Sequence, residues 1–189
     1  MIDQKIIVSI ITARSGSKRI PNKNLRKFNG VSLIGWTAKA ASYSKYIDYS
    51  YISTDSKDYG DEAKKYGSDL ILRPKDLSTD HSSSADAIIH AYKELSSKIN
   101  IKYVVLLQPT SPLREKGLID RGIELLNKEE KADTLVEVCH LRHFTYTKKG
   151  RYAYPDYPEE IRSQDLPEKL VPSGRLYIYD IEKIKNKNF

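Results

Sequence analysis

The sequence predicts an α/β fold of three layers, in which a doubly wound, mainly parallel sheet carries helices on both faces. Two observations lead to this prediction. Short apolar runs rich in β-branched residues alternate along the chain with segments whose apolar residues recur at helical spacing. Several of these runs end at Gly, Pro or small polar residues, as buried strands do. Because parallel neighbours need crossover connections, the alternation favours helices packed on a sheet.

Each element is predicted from its own local pattern. The strands are short apolar runs, and they cover residues 5–13, 49–55, 69–74, 102–112, 133–141 and the first part of 175–184. The helices have apolar residues at helical intervals, and they cover residues 31–44, 56–67, 82–98, about 116–127 and the end of 175–184. Ser56 is expected to cap the second helix and Gly67 to stop it, and Pro109 is expected to end the strand before it.

Residues 142–173 interrupt this alternation. They contain four prolines and four tyrosines and have little helical periodicity. We predict an inserted segment of irregular or β structure within a single domain. A solvated surface loop is one interpretation, but enrichment in aromatic residues and Arg also fits a small dimerisation segment at a subunit interface.

Positive charge is concentrated near the N-terminus. The chain has a net charge of +7, and its first 47 residues carry nine Lys or Arg against one acid, so that the remaining residues sum to −1. A uniformly basic surface would suggest loose attraction to nucleic acid or membrane, whereas charge confined to one segment suggests one anion site. A solvated basic face is the alternative interpretation.

The loop after the first strand can bind phosphate without a common phosphate motif. Neither G-x-x-x-x-G-K-[ST] nor G-x-G-x-x-G occurs there. The small residues at positions 15–17 let backbone amides approach an anion, while Arg14, Lys18 and Lys23 supply positive charge. Ligands of parallel sheets bind at the carboxyl ends of the strands. Residues 13–24, 53–55, 73–74 and 108–114 are therefore expected to meet at one crevice.

Five motifs of the chain resemble a known family. They are ITARSGSKRIPNKN at residues 11–24, STD at 53–55, LRP at 72–74, D-x-x-S-S at 80–84 and LLQPTSPLR at 106–114. Their order and spacing are similar to those of the acylneuraminate cytidylyltransferases (CMP-sialic acid synthetases) and CMP-KDO synthetases. The resemblance implies one Rossmann-like nucleotidyltransferase domain over residues 1–189. It also implies transfer of CMP from CTP to the anomeric hydroxyl of a nonulosonic acid, with pyrophosphate as the second product.

The resemblance also assigns site residues. Those matching positions that hold the CTP phosphates are Arg14, Ser17, Lys18 and Lys23, of which Arg14 and Lys23 are the candidate catalytic residues. Those matching positions around cytosine and ribose are Asn24, Arg73 and Ser84. Those matching contacts to the sugar acid are Gln108, Arg162 and Tyr177. From the residues alone, Gln108 could instead cap a buried strand, Tyr177 could serve packing, and Arg26 and Lys27 stay open.

Mg²⁺, a homodimer and a cytoplasmic location complete the expectations. In the family a D-x-D stretch that follows an aromatic turn holds the metal. This sequence stops at Phe189, about where that turn begins. We therefore expect the C-terminal part of the family domain to be absent, and the metal ligands stay unknown. In the family the inserted segment reaches the neighbouring subunit, so Arg162 is expected to serve the other chain. The longest apolar run is too short to span a membrane, and no secretory signal is recognisable. Cys139 is expected to be buried on a strand.

Three other functions compete with CMP transfer to a sialic-type acid. The first keeps the reaction but uses the eight-carbon acid KDO. The second is a nucleotide-binding protein without efficient turnover. The third is a nucleic-acid-binding module, suggested by the net charge and by fourteen tyrosines. Against the third, the cations precede a helix in a loop and do not interleave with aromatic residues.

Overall fold

The computed structural model describes residues 5–80, 82–158 and 160–185. The strands are β1 (Ile6–Thr12), β2 (Lys27–Phe28), β3 (Val31–Ser32), β4 (Tyr49–Thr54), β5 (Asp69–Leu72), β6 (Ile101–Leu107), β7 (Thr134–Leu141), β8 (Tyr146–Lys149), β9 (Tyr152–Pro155) and β10 (Lys169–Asp180). The α-helices are α1 (Leu33–Ser42), α2 (Lys57–Lys64), α3 (Ser84–Ser96), α4 (Leu118–Lys128) and α5 (Ile181–Lys185). Three short 3₁₀ helices cover Lys23–Leu25, Lys75–Ser78 and Ser163–Asp165.

A six-stranded sheet in the order β5-β4-β1-β6-β10-β7 forms the centre of the fold. The strands β5, β4, β1 and β6 are parallel, and β10 runs antiparallel to β6. Side chains of β1 alternate between two apolar clusters: Ile7 and Ile11 pack with α1, α2 and α4, while Val8 and Ile10 pack with α3 and α5. Helices therefore cover both faces of a mainly parallel sheet, and the predicted fold class is confirmed.

The predicted elements are all present, with differences at the ends and in the connections. The last strand, β10, begins at Lys169, before the predicted residue 175. The β1–α1 connection contains a hairpin of β2 and β3 that was not predicted, although Asn29 and Gly30 have the positive φ angles of 49° and 78° that such Asn-Gly turns adopt. Cys139 lies on β7 as predicted, but the prediction that it is buried is wrong: it is exposed, because β7 is the edge strand of the sheet.

Residues 137–173 form a compact unit of their own, and the remaining described residues form the other. Within the smaller unit, β8 and β9 pair as an antiparallel hairpin. The ring of Tyr157 packs edge-on against Phe144 and Tyr146, with centroids 4.8 and 5.6 Å apart. His140 Nδ1 lies 2.9 Å from Glu168 Oε1. The smaller unit thus has β structure and an aromatic cluster, as the composition of its sequence indicates.

The longest α-helix in the described ranges is α3, with 13 residues. No helix within those ranges has the length and apolar character that crossing a bilayer requires.

Ser32 caps the N-terminus of α1 and links this helix to α2 through a hydrogen bond. Its side chain is buried, and its Oγ accepts a hydrogen bond from Gly35 N at 2.9 Å and donates one to Glu62 Oε1 at 2.7 Å. The pKa of Glu62 is lowered, mainly by the hydrogen bond from Lys65 and further by the one from Ser32. This acceptor therefore stays ionised. One hydroxyl therefore satisfies a donor at the helix N-terminus and an acceptor of the neighbouring helix.

We expect Ser32→Ala to lower the free energy of unfolding by about 1–2 kcal/mol, because it removes the cap of α1, leaves the buried Gly35 N–H without this acceptor and removes one hydrogen bond of Glu62. Urea denaturation followed by circular dichroism measures this change. Ser42→Ala is the matched control, because the Ser42 hydroxyl is exposed and bonds only within its own helix, to Lys39 O. Equal losses in the two variants would contradict the assignment.

Candidate functional site

A cavity of about 230 Å³ lies at the carboxyl ends of β1, β5 and β6. Seven of the ten predicted site residues line it: Arg14, Ser17, Lys23, Asn24, Arg73, Ser84 and Gln108. The rest of its lining consists of Thr12, Ala13, Ser82, Ser83, Pro109 and Thr110. The structure thus brings residues from four separate stretches of sequence to one crevice.

Asp55 anchors the basic loop that follows β1 to the end of β4. Its Oδ1 accepts from Ser15 N and its Oδ2 from Ser15 Oγ, both at 2.8 Å. Burial acts to raise the pKa of Asp55, but the hydrogen bonds from Ser15, helped by the charge of Arg73, lower it overall. Asn24, which is also buried, donates from Nδ2 to Arg14 O at 3.4 Å. The loop is therefore held at its base by the side chains of Asp55 and Asn24.

Arg73 is a buried cation on the cavity wall. It is only 6% exposed, and its Nε has no hydrogen-bond partner within the described part of the chain. Burial, followed by the nearby charge of Arg14, lowers the pKa of the Arg73 guanidinium, while Asp55 acts to raise it. A buried donor without an acceptor is costly unless a ligand supplies one. This wall of the cavity is therefore suited to a ligand that offers an oxygen or nitrogen acceptor.

The N-terminus of α3 forms another part of the cavity lining. Ser83 and Asp86 build a capping box: Asp86 N donates to Ser83 Oγ at 3.1 Å, and Ser83 N donates to Asp86 Oδ2 at 2.8 Å. The backbone hydrogen bond from Ser83 is the largest cause of the lowered pKa of Asp86. Ser84 is the first residue of the helix and lines the cavity. The positive end of a helix dipole thus adds to the positive character of the site.

Gln108 is placed by a brace that the sequence did not reveal. Arg114 Nη2 donates to Gln108 O at 2.7 Å and Arg114 Nε to Arg175 O at 2.8 Å, which joins the end of β6 to β10. Gly174 has φ +76°, and a Cβ there would lie 3.0 Å from Gln108 Oε1. Arg114 was expected in the crevice as part of residues 108–114. It does not line the cavity; its guanidinium instead fixes the backbone behind Gln108.

The other predicted residues lie elsewhere. Lys18 is 82% exposed and pairs with Asp80, whose Oδ1 also lies 2.5 Å from Arg14 Nη1. Tyr177 is half-buried on β10, opposite Leu106 of β6, and is not among the cavity-lining residues. Arg162 belongs to the smaller unit, where its Nε donates to Asp165 Oδ2 at 2.6 Å. Asp80 is the first residue of the D-x-x-S-S motif, to which the sequence assigned no role at this position. Only the structure reveals that Asp80 pairs with Arg14 and Lys18, two residues predicted to bind the phosphates.

The described residues show no cluster of metal-binding side chains. No group of three or more His, Cys, Asp or Glu in those ranges is arranged to hold a metal. Asp55, the carboxylate at the end of β4, accepts a hydrogen bond from Ser15 at each of its two oxygens. Phe189, the position where the family's metal segment would begin to follow, lies outside the described residues.

The fold and the cavity define an α/β protein with a cavity lined by polar and basic residues at the ends of parallel strands. The sequence profile of the family described as cytidylyltransferase matches residues 8–158. The chain belongs to this family.

Three similar proteins have names that fit the cytidylyltransferase family. The chain is 40% identical over 132 residues to the N-acylneuraminate cytidylyltransferase of Escherichia coli, which covers 70% of this chain and 31% of the relative. It is 32% identical over 183 residues to the N-acylneuraminate cytidylyltransferase of Oncorhynchus mykiss, which covers 94% of this chain and 42% of the relative. It is 40% identical over 191 residues to the CMP-N,N'-diacetyllegionaminic acid synthase of Legionella pneumophila, which covers 97% and 82%. The chain thus spans less than half the length of the first two relatives.

Solved structures agree on the fold. The structure of CMP:2-keto-3-deoxy-manno-octonic acid synthetase complexed with CTP superposes with a TM-score of 0.72 at 17% identity, over 97% of this chain and 77% of that one. A cytidylyltransferase from Leptospira borgpetersenii gives a TM-score of 0.60 at 19% identity, over 96% and 63%. The chain therefore has the Rossmann-like fold of nucleotidyltransferases.

We expect Arg114→Lys to lower the free energy of unfolding by about 1–3 kcal/mol, because a lysine cannot reproduce the fork that binds two backbone carbonyls at once. Chemical denaturation measures the loss. Arg121→Lys is the matched control: Arg121 is an exposed arginine that bonds to Glu115 and to Lys116 O. A loss no larger than that of the control would show that the brace does not stabilise the end of β6.

Proposed function

We propose that this chain transfers CMP from CTP to the anomeric hydroxyl of a nonulosonic acid of the sialic type, releasing pyrophosphate. The observation that carries the proposal is the cavity where Arg14, Lys23 and Arg73 converge at the strand ends, in a chain of the cytidylyltransferase family. The relatives named above act, by their names, on N-acylneuraminate and on N,N'-diacetyllegionaminic acid. These names favour a nonulosonic acid over KDO as the acceptor.

The basic loop suits the triphosphate. CTP carries about four negative charges near neutral pH, so several cations are needed to bind it. Arg14 and Lys23 line the cavity, and Ser17 adds a hydroxyl beside them. A Cβ at Gly16 would meet no heavy atom within 4 Å among the described residues, so the loop has room for a ligand beside its backbone. Lys18 lies at the outer edge of the loop and reaches the phosphates in this proposal once it leaves Asp80.

The nucleoside and the sugar acid use the remaining polar residues. We assign Asn24, Arg73 and Ser84 to cytosine and ribose, because the unused Nε of Arg73 needs an acceptor such as a cytosine carbonyl. We assign Gln108 to the sugar acid. Tyr177 and Arg162 are further candidates for this substrate, and Arg162 would have to exchange its bond to Asp165 for the sugar carboxylate.

The chemistry needs positioning and neutralisation of charge. The oxygen of the anomeric hydroxyl forms a bond to the α-phosphorus and its proton passes to solvent, the bond from that phosphorus to the oxygen that bridges the α- and β-phosphates breaks, and pyrophosphate leaves. Lys23 and Arg14 would balance the charge that builds on the phosphoryl oxygens and on the leaving group. We also propose that the reaction requires Mg²⁺.

We further propose a homodimer formed through the smaller unit, in the cytoplasm. Aromatic side chains of this unit are about half exposed, among them Phe144, Tyr146, Tyr152 and Tyr154. Exposed aromatic residues are enriched in subunit interfaces. Cys139 is an exposed free thiol, which suits a compartment that keeps thiols reduced.

We expect Lys23→Ala to lower kcat/KM for CTP about 10²–10³-fold, as loss of a charge-stabilising donor does in other enzymes. Pyrophosphate release by the natural full-length protein, with CTP, N-acetylneuraminic acid and Mg²⁺, measures the effect. Lys27→Ala is the matched control, because Lys27 is an exposed cation of the same connection on β2.

Three results would overturn the proposal. No release with any nonulosonic acid would refute the activity, and a higher kcat/KM with KDO would assign the acceptor to the eight-carbon class. CTP binding without turnover, unaffected by Mg²⁺, would indicate a nucleotide-binding protein.

We expect an equimolar mixture of the Lys23→Ala and Arg162→Ala variants, after subunit exchange, to recover about a quarter of native activity while each variant alone is nearly inactive. This follows if Arg162 serves the partner's site, because half of the dimers are then mixed and each mixed dimer has one intact site. Light scattering checks that the dimer forms. Absence of recovery in a proven dimer would place Arg162 in its own subunit's site or outside both sites.

A further inference from the structure

Asp80 binds two of the cations that the proposed function assigns to the phosphates. Its Oδ1 lies 2.5 Å from Arg14 Nη1, and its Oδ2 pairs with Lys18 Nζ. Each carboxylate oxygen is therefore engaged by a different cation. Hydrogen bonds from Lys18, and then from Arg14, lower the pKa of Asp80, so the carboxylate is charged near neutral pH.

The carboxylate and a polyphosphate cannot use these donors together. An N–H of Arg14 that points at Asp80 cannot donate to a phosphate oxygen in the same geometry. A carboxylate held at this place also repels the negative charges of a bound nucleotide. Phosphate binding through the donors that Asp80 holds thus requires that Asp80 move away or give up its bonds.

The segment that carries Asp80 is suited to such a movement. The preceding 3₁₀ helix, Lys75–Ser78, has no buried residue. Thr79 N donates to Ser82 Oγ at 3.0 Å, so short-range polar bonds link Thr79 to Ser82, which lines the cavity. Segments with few buried apolar contacts open at low cost in free energy. A shift of Asp80 would therefore also move residues of the cavity wall, while the core would stay unchanged.

We propose that Asp80 competes with the triphosphate for Arg14 and Lys18 and thereby acts as a specificity-determining residue. This inference rests on the proposed function, because it takes the phosphates to bind at these cations. Asp80 leaves the two cations available in only a fraction of the molecules, and the apparent affinity of a ligand that needs these cations is reduced by that fraction. The affinity of a ligand that does not reach them is unaffected. Single phosphate groups compete poorly, and a polyphosphate replaces the carboxylate. After transfer, return of Asp80 to the two cations favours release of pyrophosphate.

Asp80→Asn tests the competition directly. Calorimetric titration of the full-length protein with CTP, pyrophosphate and cytidine gives the three affinities. We expect CTP and pyrophosphate to bind about two- to tenfold more tightly, the range that two exposed ion pairs support, and cytidine to bind as in the native protein. The gain should shrink as the salt concentration rises, because exposed ion pairs are screened.

Two further variants separate competition from general charge effects. Asp76→Asn removes the same charge from the same segment, while Arg14 and Lys18 keep their partner Asp80; we expect native affinities. Asp80→Glu keeps the carboxylate, and we expect affinities close to native. A thermal melt of each variant confirms that it is folded.

The outcomes also separate this inference from the proposed function. Weaker or unchanged binding of CTP and pyrophosphate to Asp80→Asn would refute the competition, as would an equal gain for cytidine. Native protein that binds CTP but transfers no CMP would refute the proposed function alone, because the binding comparison does not depend on turnover.

Discussion

The fold depends on the burial of both faces of its central parallel strands. In β1, Ile7 and Ile11 are fully buried on one side and Val8 and Ile10 on the other. A strand enclosed in this way has no face toward solvent, so it can present polar groups to a ligand only where the strand ends. Arg14 follows β1 after one residue. Packing of the core therefore decides where the basic loop lies, and the same holds for Arg73 after β5 and Gln108 after β6.

Two carboxylates border the resulting cluster of cations, and their anchoring gives them different roles. Asp55 comes directly after β4 and receives two hydrogen bonds from Ser15, so it supports the loop as part of the framework. Asp80 pairs with Arg14 and Lys18 from a segment whose 3₁₀ helix buries nothing. Asp55 and Asp80 thus carry the same charge, but Asp55 stabilises the loop while Asp80 competes for the cations of the loop. The site needs both effects, because it must hold positive groups close together and still exchange anions.

Local signals account for the elements that the sequence predicted well. Helices α1 and α3 fall within the predicted residues 31–44 and 82–98, because their periodicity is a property of neighbouring residues. The start of β10 was missed because Pro172 and Gly174 have low β propensity, and a strand between β6 and β7 is held by its neighbours. Burial of Cys139 was predicted from a single strand, whereas its exposure depends on the position of β7 at the sheet edge.

By itself the sequence determined the fold class, three of the four strand ends predicted to meet at one crevice, and the concentration of positive charge behind the first strand; residues 53–55, the fourth predicted end, do not line the cavity. These are properties of residue order and composition. Only the tertiary structure decided which of those cations face the cavity. Lys18 and Lys23 belong to the same loop, yet Lys23 lines the cavity while Lys18 pairs with Asp80. Arg114 ends a predicted site motif, yet it binds backbone carbonyls behind the site. The physical reason is that a side chain in an irregular loop takes its direction from partners that are distant in sequence, and only folding brings those partners within reach.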